Sequence, residues 1–244
     1  KLDTIQAISK EKKYFENIPL VYLNNLWSGK LLPFENYTTL AKQVKRTYKT
    51  LTKDFKEYKV KIPELPSDKI TEIKLKKISY RLENKLNEVR ELDYFLNQPK
   101  QTLEIVKILS NLNSKIEIET GIFIKPLPEH LEWIIWRVFL AINSFKTKLR
   151  ESRGFPIDEN FFPTHHAPGG KEDMYFEFDN FVLVLEVTFK TGEAQSKDEI
   201  VPVYRHVINK SQKFKHKPVY CIFIAPTISM YTAKEFKDYF VDDS

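Results

Sequence analysis

The sequence has 244 residues, of which 42% are hydrophobic and 14% aromatic, and a formal net charge of +6. This composition suits one large or two small globular domains, and the lack of any run of about eighteen apolar residues excludes a membrane-spanning helix. The single cysteine, Cys221, excludes an intramolecular disulfide and favours a reducing, intracellular compartment. Because the chain lacks an initial methionine and ends at VDDS directly after a helix-like segment, we expect a fragment of a longer protein.

Charge is unevenly divided along the chain. Residues 1–126 carry 24 basic and 16 acidic side chains, a net charge of +8, whereas residues 127–244 carry 15 basic and 17 acidic ones, a net charge of −2. A basic front half suits a polyanion such as DNA, although surface lysines on ordinary helices give the same count.

The first third is predicted to be helical. Residues 36–58 have helical apolar spacing and a basic opposite face of Lys42, Lys45, Arg46, Lys49, Lys53 and Lys56. A second helix, capped by Ser67 or Asp68, extends to about Leu96 with an apolar residue every seven positions at Leu75, Leu82, Val89 and Leu96, and a third covers 102–112. We expect residues 1–120 to form a basic helical linker or partial domain; the alternative is that the basic face of 42–56 lies along a nucleic-acid backbone.

A buried helix is predicted after a short strand at 122–124. From Glu129 onward the helix is apolar on nearly all sides, at Leu131, Ile134, Ile135, Val138, Phe139 and Ile142, and such a helix is buried. Glu132 lies in its first turns. A buried carboxylate needs a partner or a metal, because desolvating an unpaired charge is costly. Glu132 is therefore a candidate site residue, unless it faces solvent or only interacts with the helix N-terminus.

Two strand-like runs then form a predicted hairpin. MYFEF (174–178) and FVLVLEVTF (181–189) are rich in aromatic and β-branched residues, and Asp179-Asn180 suits a two-residue turn. Across such a turn position 173 pairs with position 186, so Asp173 and Glu186 are placed side by side. Glu186 is the one acid in an otherwise apolar run.

The remaining elements complete an α/β order. TGEAQSK is a predicted loop, and Glu199 begins a helix to about Phe214 that holds Pro202 in its first turn. Glu199 and His206 share a face of this helix. VYCIFIA (219–225) is continuously apolar, as expected of a buried strand in a mixed or parallel sheet, and 230–240 form a last amphipathic helix.

The pair of Asp173 and Glu186 favours a hard divalent cation. Two like charges held this close repel unless one is protonated or a cation bridges them, and Mg²⁺ is held by one or two carboxylates with waters and phosphate oxygens. Such an ion polarises a phosphodiester and activates water. Two surface acids at a sheet edge are the alternative, which suits Asp173 but not Glu186.

Other chemistries fit less well. The pair His165-His166 lacks the spacing of zinc ligands, even with His206 or Cys221 added. APGGK (167–171) does not match a phosphate-binding loop, and we interpret it as a backbone turn that positions Asp173. No Gly-x-Ser-x-Gly elbow occurs.

A family resemblance rests on longer stretches. HAPGGKEDMYFEFDNFVLVLEVTFKTGEAQ, followed by EIVPVYRHV, is similar to the AlwI-type restriction endonucleases, which include type IIS and strand-nicking enzymes. PEHLEWIIWRVFLAI resembles the helix that precedes this motif in the family. The resemblance covers about 127–226, and the pattern of acids looks like that of the PD-(D/E)xK nuclease superfamily. It implies an α/β core in the order α-β-β-β-α-β, with a mixed central sheet between helices, preceded by a helical region.

The resemblance also implies roles for four residues. Asp173 and Glu186 would be the principal ligands of Mg²⁺, for which Mn²⁺ would substitute. Glu132, as a further ligand, and Glu199 would be accessory acids of the same site. His206 is a fifth candidate for a catalytic residue, because it shares a helix face with Glu199.

Two positions depart from the family motif. Glu172 replaces the proline of "PD", and Thr188 replaces the lysine of "ExK". A threonine cannot supply positive charge, so Lys190, Arg205 and His206 are the candidates for that role.

The function implied for residues 121–244 is the Mg²⁺-dependent DNA cleavage domain of a type IIS or nicking restriction enzyme in the bacterial cytoplasm. Its expected partners are double-stranded DNA, a sequence-recognition domain missing from this fragment, and a second catalytic subunit or a homodimer partner, with no membrane. The missing lysine and the basic front half also suit a catalytically inactive, nuclease-derived domain that binds DNA or another subunit. A nuclease acting on RNA is a third interpretation.

Overall fold

The structure, a computed structural model, describes Ser28, Leu31 and residues 35–59, 61–62, 70–111 and 128–240, with the backbone alone at 116–117, 123–124 and 241. The chain divides into two compact units, Lys1–Glu91 and Leu92–Ser244. The division of functions between residues 1–120 and 121–244 stays a prediction. Within the described ranges, no helix has both the length and the apolarity that crossing a membrane requires.

Two helices form the core of the first unit in the residues that the structure describes. Helix α1 (Tyr37–Lys53) begins at a capping box formed by Asn36 and Thr39, and helix α2 (Glu72–Asn97) follows it. Their apolar faces form one core of Leu40, Val44, Leu51, Leu75, Leu82 and Val89. The predicted basic face is exposed at all six positions. The apolar stripe is shorter than predicted, because Leu96 is 42% exposed, and the proposed caps Ser67 and Asp68 lie outside the described residues.

The second unit opens with helices and a small ribbon. Helix α3 (Thr102–Ser110) follows a 3-10 turn at Gln98–Gln101, and strands β1 (Ile116–Glu117) and β2 (Phe123–Ile124) pair antiparallel. Helix α4 (Pro128–Ile142) is buried along most of its length, as predicted. Its last residue is an exception: Ile142 is 55% exposed, so its predicted burial was wrong.

The central sheet has three strands in the described part of the chain. Strands β3 (Met174–Glu177), β4 (Val182–Val187) and β5 (Val219–Ile224) lie in that order, the first pair antiparallel and the second parallel. The hairpin register is confirmed: Met174 pairs with Leu185, and the Phe178 N–H donates to the Phe181 carbonyl at 2.8 Å across the two-residue turn. Helices and a mixed sheet therefore make the predicted α/β unit.

Helix α5 (Gly192–Lys213) begins seven residues before the predicted start at Glu199, and Pro202 lies inside it rather than in its first turn. TGEAQSK is thus mostly helical. Long-range contacts hold these extra turns, because the buried side chain of Gln195 donates to the carbonyls of Lys190 and Thr227, each at 3.0 Å.

Strand β5 is only half buried, contrary to the prediction of a fully buried strand. Its odd-numbered residues face helix α5 and the last helix, α6 (Met230–Val241), where Phe223 contacts Phe236. Tyr220 and Ile222 point to the other face and are 56% and 43% exposed. The continuous apolar run gave no sign that one face of β5 is exposed in the described part of the chain.

Candidate active site

Asp173 and Glu186 meet at one end of the hairpin. The register extended one residue beyond the Met174–Leu185 pair puts these two acids opposite each other. The Asp173 carboxylate accepts a hydrogen bond from the Val187 N–H at 2.7 Å, and the Asp173 carbonyl accepts one from the Gly154 N–H at 2.7 Å. Asp173 is therefore fixed from two sides, by β4 and by the loop that contains Gly154.

Glu186 is buried against helix α5. Its carboxyl is 2.7 Å from Nδ1 of His206, and the two residues are 6% and 5% exposed. The other ring nitrogen, Nε2, is also buried and has no hydrogen-bond partner in the described part of the chain. The strand and the helix thus place an acid and an imidazole together inside the protein.

Glu132 reaches the same region from helix α4. It is 4% exposed, and its Oε2 accepts a hydrogen bond from the Ala167 N–H at 2.8 Å. The alternative that it faces solvent was therefore wrong. Ala167 begins the APGGK turn, so this turn contacts Glu132, and its role in positioning Asp173 stays a prediction. A Cβ atom at Gly154 would lie 2.8 Å from the Glu172 carbonyl and 3.1 Å from the Ala167 Cβ, so the loops are closely packed here.

Glu199 lies on the α5 side of the strand end. Its Oε1 accepts a hydrogen bond from the Thr188 hydroxyl at 3.0 Å and is 3.1 Å from Nζ of Lys190. Glu199 and His206 therefore both contact β4 or the residue after it.

The pKa values show that the acids act on one another. Burial, followed by the charges of Glu186, Glu132 and Glu199, raises the pKa of Asp173 to about 9. Burial raises the pKa of Glu132 to about 7, with smaller contributions from Glu129 and Glu186, although the bond from Ala167 opposes the shift. Burial also raises the pKa of Glu186, against the opposing effect of His206. Burial and the mutual repulsion of these acids therefore favour the protonated form of each.

The described residues contain no group of three or more His, Cys, Asp or Glu side chains arranged to hold a metal ion. The arrangement is a carboxylate pair with other acids near it, and ligation by Glu132 stays a prediction. Zinc ligation is disfavoured further because His165 and His166 are exposed. Burial, with a smaller contribution from Glu186, raises the pKa of Cys221 to about 12, so a thiolate is not available near neutral pH.

A protein-family model described as AlwI restriction endonuclease matches residues 3–242 of the chain. The chain belongs to this family. The match extends far beyond residues 127–226 and includes the first hundred residues, for which the sequence offered no recognisable resemblance.

Other comparisons are more limited. A search of curated proteins found no match. A similar solved structure is the small subunit (R.BspD6I2) of the heterodimeric restriction endonuclease R.BspD6I, with 24% identity and a TM-score of 0.45 over 54% of this chain and 63% of that one. The matched region is thus less than two thirds of that subunit's length.

In this AlwI-family chain the three candidates for the missing lysine occupy different surroundings. Arg205 is exposed on helix α5. His206 contacts Glu186. Lys190 contacts Glu199, whose carboxylate also binds Thr188, the residue at the lysine position of the motif.

Two buried cations were not among the predicted site residues, although Lys210 was expected near Glu199 and His206. Lys210 is 8% exposed, pairs with Glu172 at 2.5 Å and lies 3.4 Å from the centre of the Tyr175 ring. Its position one turn after His206 on the same helix face was the available signal. Arg137, the one basic residue inside the apolar part of α4, binds Gln98, Gln101 and Glu104.

Proposed function

We propose that the chain is the cleavage part of a Mg²⁺-dependent restriction endonuclease, of the type IIS or nicking kind, that hydrolyses phosphodiester bonds of double-stranded DNA in the bacterial cytoplasm. The observation that carries the proposal is the pairing of Asp173 with Glu186 at the end of the hairpin, in a chain of the AlwI restriction endonuclease family.

The donor set fits magnesium. Mg²⁺ prefers oxygen ligands and keeps several waters, so two carboxylates suffice where a phosphate also binds. The raised pKa of Asp173 means that a cation would stabilise the ionised pair, and Mn²⁺ would substitute. When bound, the ion would neutralise charge on the phosphodiester and lower the pKa of a water molecule.

The chain's own residues would hold this site in place. His206 orients Glu186, the Val187 N–H orients Asp173, and the Ala167 N–H holds one oxygen of Glu132. Such fixed hydrogen bonds preorganise ligands and acids before the substrate arrives. Glu132, with a pKa of about 7, is suited to take up a proton from the attacking water near neutral pH.

We also propose that the fold is a PD-(D/E)xK core. Helix α4, strands β3 and β4, helix α5 and strand β5 give five of the six expected elements in order. At the place of the remaining strand, Arg153 forms an antiparallel bridge with Met174 on the free edge of β3, and the Tyr175 N–H donates to the Ser152 carbonyl at 3.2 Å. This bridge supports the view that the first strand of the core is reduced to a few residues.

The proposed partners extend beyond this chain. A sequence-recognition domain outside it would select the DNA site, and a second catalytic subunit or a second copy of this chain would cut the other strand. The exposed basic face of helix α1 supports a contact with the DNA backbone, because clustered lysines bind phosphates without reading sequence.

The test is cleavage of supercoiled plasmid by the full-length enzyme with Mg²⁺. Asp173→Asn and Glu186→Gln keep the shape of the side chains and remove the charge. Each should lower the cleavage rate by about 1,000-fold or more, since the charge stabilisation of the transition state is lost. The matched control is Glu177→Gln, because Glu177 lies in the same hairpin but at its far end, where it pairs with Lys217, and this variant should keep normal cleavage.

Metal binding gives a second measurement that does not depend on activity. Calorimetric titration with Mn²⁺ should show binding to the wild-type protein and to Glu177→Gln, and at least tenfold weaker binding to the two site variants. Normal cleavage by both site variants would contradict the proposal. A wild-type enzyme that does not bind the metal and does not cut DNA would instead support the interpretation as an inactive, nuclease-derived domain. Cleavage of an RNA substrate in a parallel assay would identify a ribonuclease.

A further inference from the structure

The residue at the lysine position of the motif is connected to a lysine two positions later. The Thr188 hydroxyl donates to Oε1 of Glu199 at 3.0 Å, and Nζ of Lys190 is 3.1 Å from the same oxygen. The Lys190 N–H also donates to the Thr188 hydroxyl at 3.1 Å. One carboxylate oxygen therefore binds both the threonine and the ammonium group.

We propose that Lys190 is a catalytic residue, which supplies to the reacting phosphate the positive charge that Thr188 lacks, with Glu199 and Thr188 as its positioning residues. This role rests on the proposed nuclease function. Lysine is suited to it because its ammonium group is a compact charge on a flexible stem and binds phosphate oxygens well.

The other nearby cations have different surroundings. Lys210 is buried in an ion pair with Glu172 at 2.5 Å and lies against the Tyr175 ring. His206 is committed to Glu186 through Nδ1. Arg205 is exposed on the helix, and no described ion pair joins it to the acids. Among the described basic residues considered for the role, only Lys190 is held by an acid of the site and is also open to solvent.

The exposure of Lys190 favours contact with a substrate. Its side chain is 45% exposed and also lies 3.3 Å from Oδ2 of Asp198, whose side chain is 47% exposed. Ion pairs between exposed groups contribute little, so a phosphate oxygen readily replaces Asp198 as the partner. Glu199, which is less exposed at 21%, would keep the ammonium beside Thr188, at the end of β4 that carries Glu186, during the exchange.

The charge would act late in the reaction. Attack of water on phosphorus adds negative charge to the non-bridging oxygens as the bond to the leaving oxygen breaks, and a fixed positive charge near those oxygens lowers the barrier. Lys190 would therefore affect the rate of the chemical step more than the binding of DNA.

The experiment compares Lys190→Gln and Lys190→Arg with the control Lys197→Gln in the full-length enzyme. Lys197 is exposed on helix α5 next to Asp198, and its substitution makes the same change in net charge. Lys190→Gln should lower kcat by about 100-fold with KM for DNA little changed. Lys190→Arg should keep kcat within about tenfold of the wild type, and Lys197→Gln should not differ from it.

Mn²⁺ titration without DNA separates this role from support of the metal site. Lys190→Gln removes a positive charge near the acids, so it should bind Mn²⁺ as tightly as the wild type or a few-fold more tightly. A wild-type kcat in Lys190→Gln would overturn the role of Lys190 and leave the nuclease proposal intact. If Lys190→Gln instead lost Mn²⁺ binding in parallel with its cleavage rate, the same conclusion would follow, because Lys190 would then support the metal site. A wild-type enzyme that neither binds Mn²⁺ nor cuts DNA would overturn the nuclease proposal itself, and the role of Lys190 with it.

Discussion

The two faces of the β3–β4 hairpin differ in chemistry although they alternate along the same few residues. Toward helix α4 lie Met174, Phe176, Leu183 and Leu185, all at most 8% exposed, in the largest apolar core of the described chain. Phe176 stacks on Phe139 at 5.0 Å. Toward helix α5 lie a smaller cluster of Tyr175, Val182 and Val184 and then the charged groups, Glu186 with His206.

The difference shows how one hairpin can hold a site that destabilises the folded protein. Buried carboxylates near one another destabilise the fold, because they lose hydration and repel. Apolar burial on the opposite face offsets this cost through the same backbone, since aromatic side chains remove large areas from water. Apart from Glu132, which reaches the site from helix α4, the apolar and the charged groups are thus divided between the two faces, and each can be disturbed separately.

Truncation on the α4 side should have the largest effect on stability. Phe176→Ala should lower the free energy of unfolding by roughly 3–5 kcal/mol, because Phe176 is fully buried and would leave a large cavity. Val184→Ala on the other face removes fewer atoms and is the comparison. Urea denaturation measures both, and an equal or larger loss for Val184→Ala would contradict the division between the two faces.

The acids of the site should make the metal-free protein less stable at high pH. The pKa of Asp173 is raised from 3.8 to about 9, so its contribution to stability is fully present below the unfolded value and is lost as the pH rises through the folded value. Glu132 and Glu186 shift in the same direction. The free energy of unfolding in chelator should therefore fall by roughly 1–3 kcal/mol between pH 5 and pH 9.

The variant Asp173→Asn and added Mg²⁺ both test whether Asp173 causes this pH dependence of stability. The amide mimics the protonated acid and still accepts from the Val187 N–H, so this variant should lose less stability as the pH rises. Mg²⁺ at pH 8.5 should stabilise the wild type by mass action and the variant much less. If the free energy of unfolding of the two proteins depended on pH in the same way, Asp173 would be ionised in the folded protein without loss of stability.

A change at the exposed end of helix α4 should have the smallest effect. Ile142→Thr should change the free energy of unfolding by less than about 0.5 kcal/mol, because Ile142 is 55% exposed. Leu140→Ala, two residues earlier and fully buried, is the comparison and should cost roughly 2–5 kcal/mol. Similar melting temperatures for the two variants would contradict the difference in burial between Leu140 and Ile142.

Local patterns in the sequence determined the elements near the site. The two-residue turn at Asp179-Asn180 fixes the hairpin register, since the strands on either side have only a few pairing choices, and this register placed Asp173 opposite Glu186. The apolar pattern of 129–142 determined that α4 is buried along most of its length. Both depend on residues close together in the chain, where spacing and turn chemistry are enough.

Contacts between distant residues were decided only by the tertiary structure. The bond from Ala167 to Glu132 spans 35 positions, and the contact of His206 with Glu186 spans 20. The early start of α5 depends on the bond of Gln195 to Thr227, 32 positions later, and the exposure of Tyr220 depends on which face of β5 a helix covers. Periodicity describes one element at a time, whereas these features depend on how separate elements pack. The sequence alone thus determined the carboxylate pair, and packing determined which groups surround it.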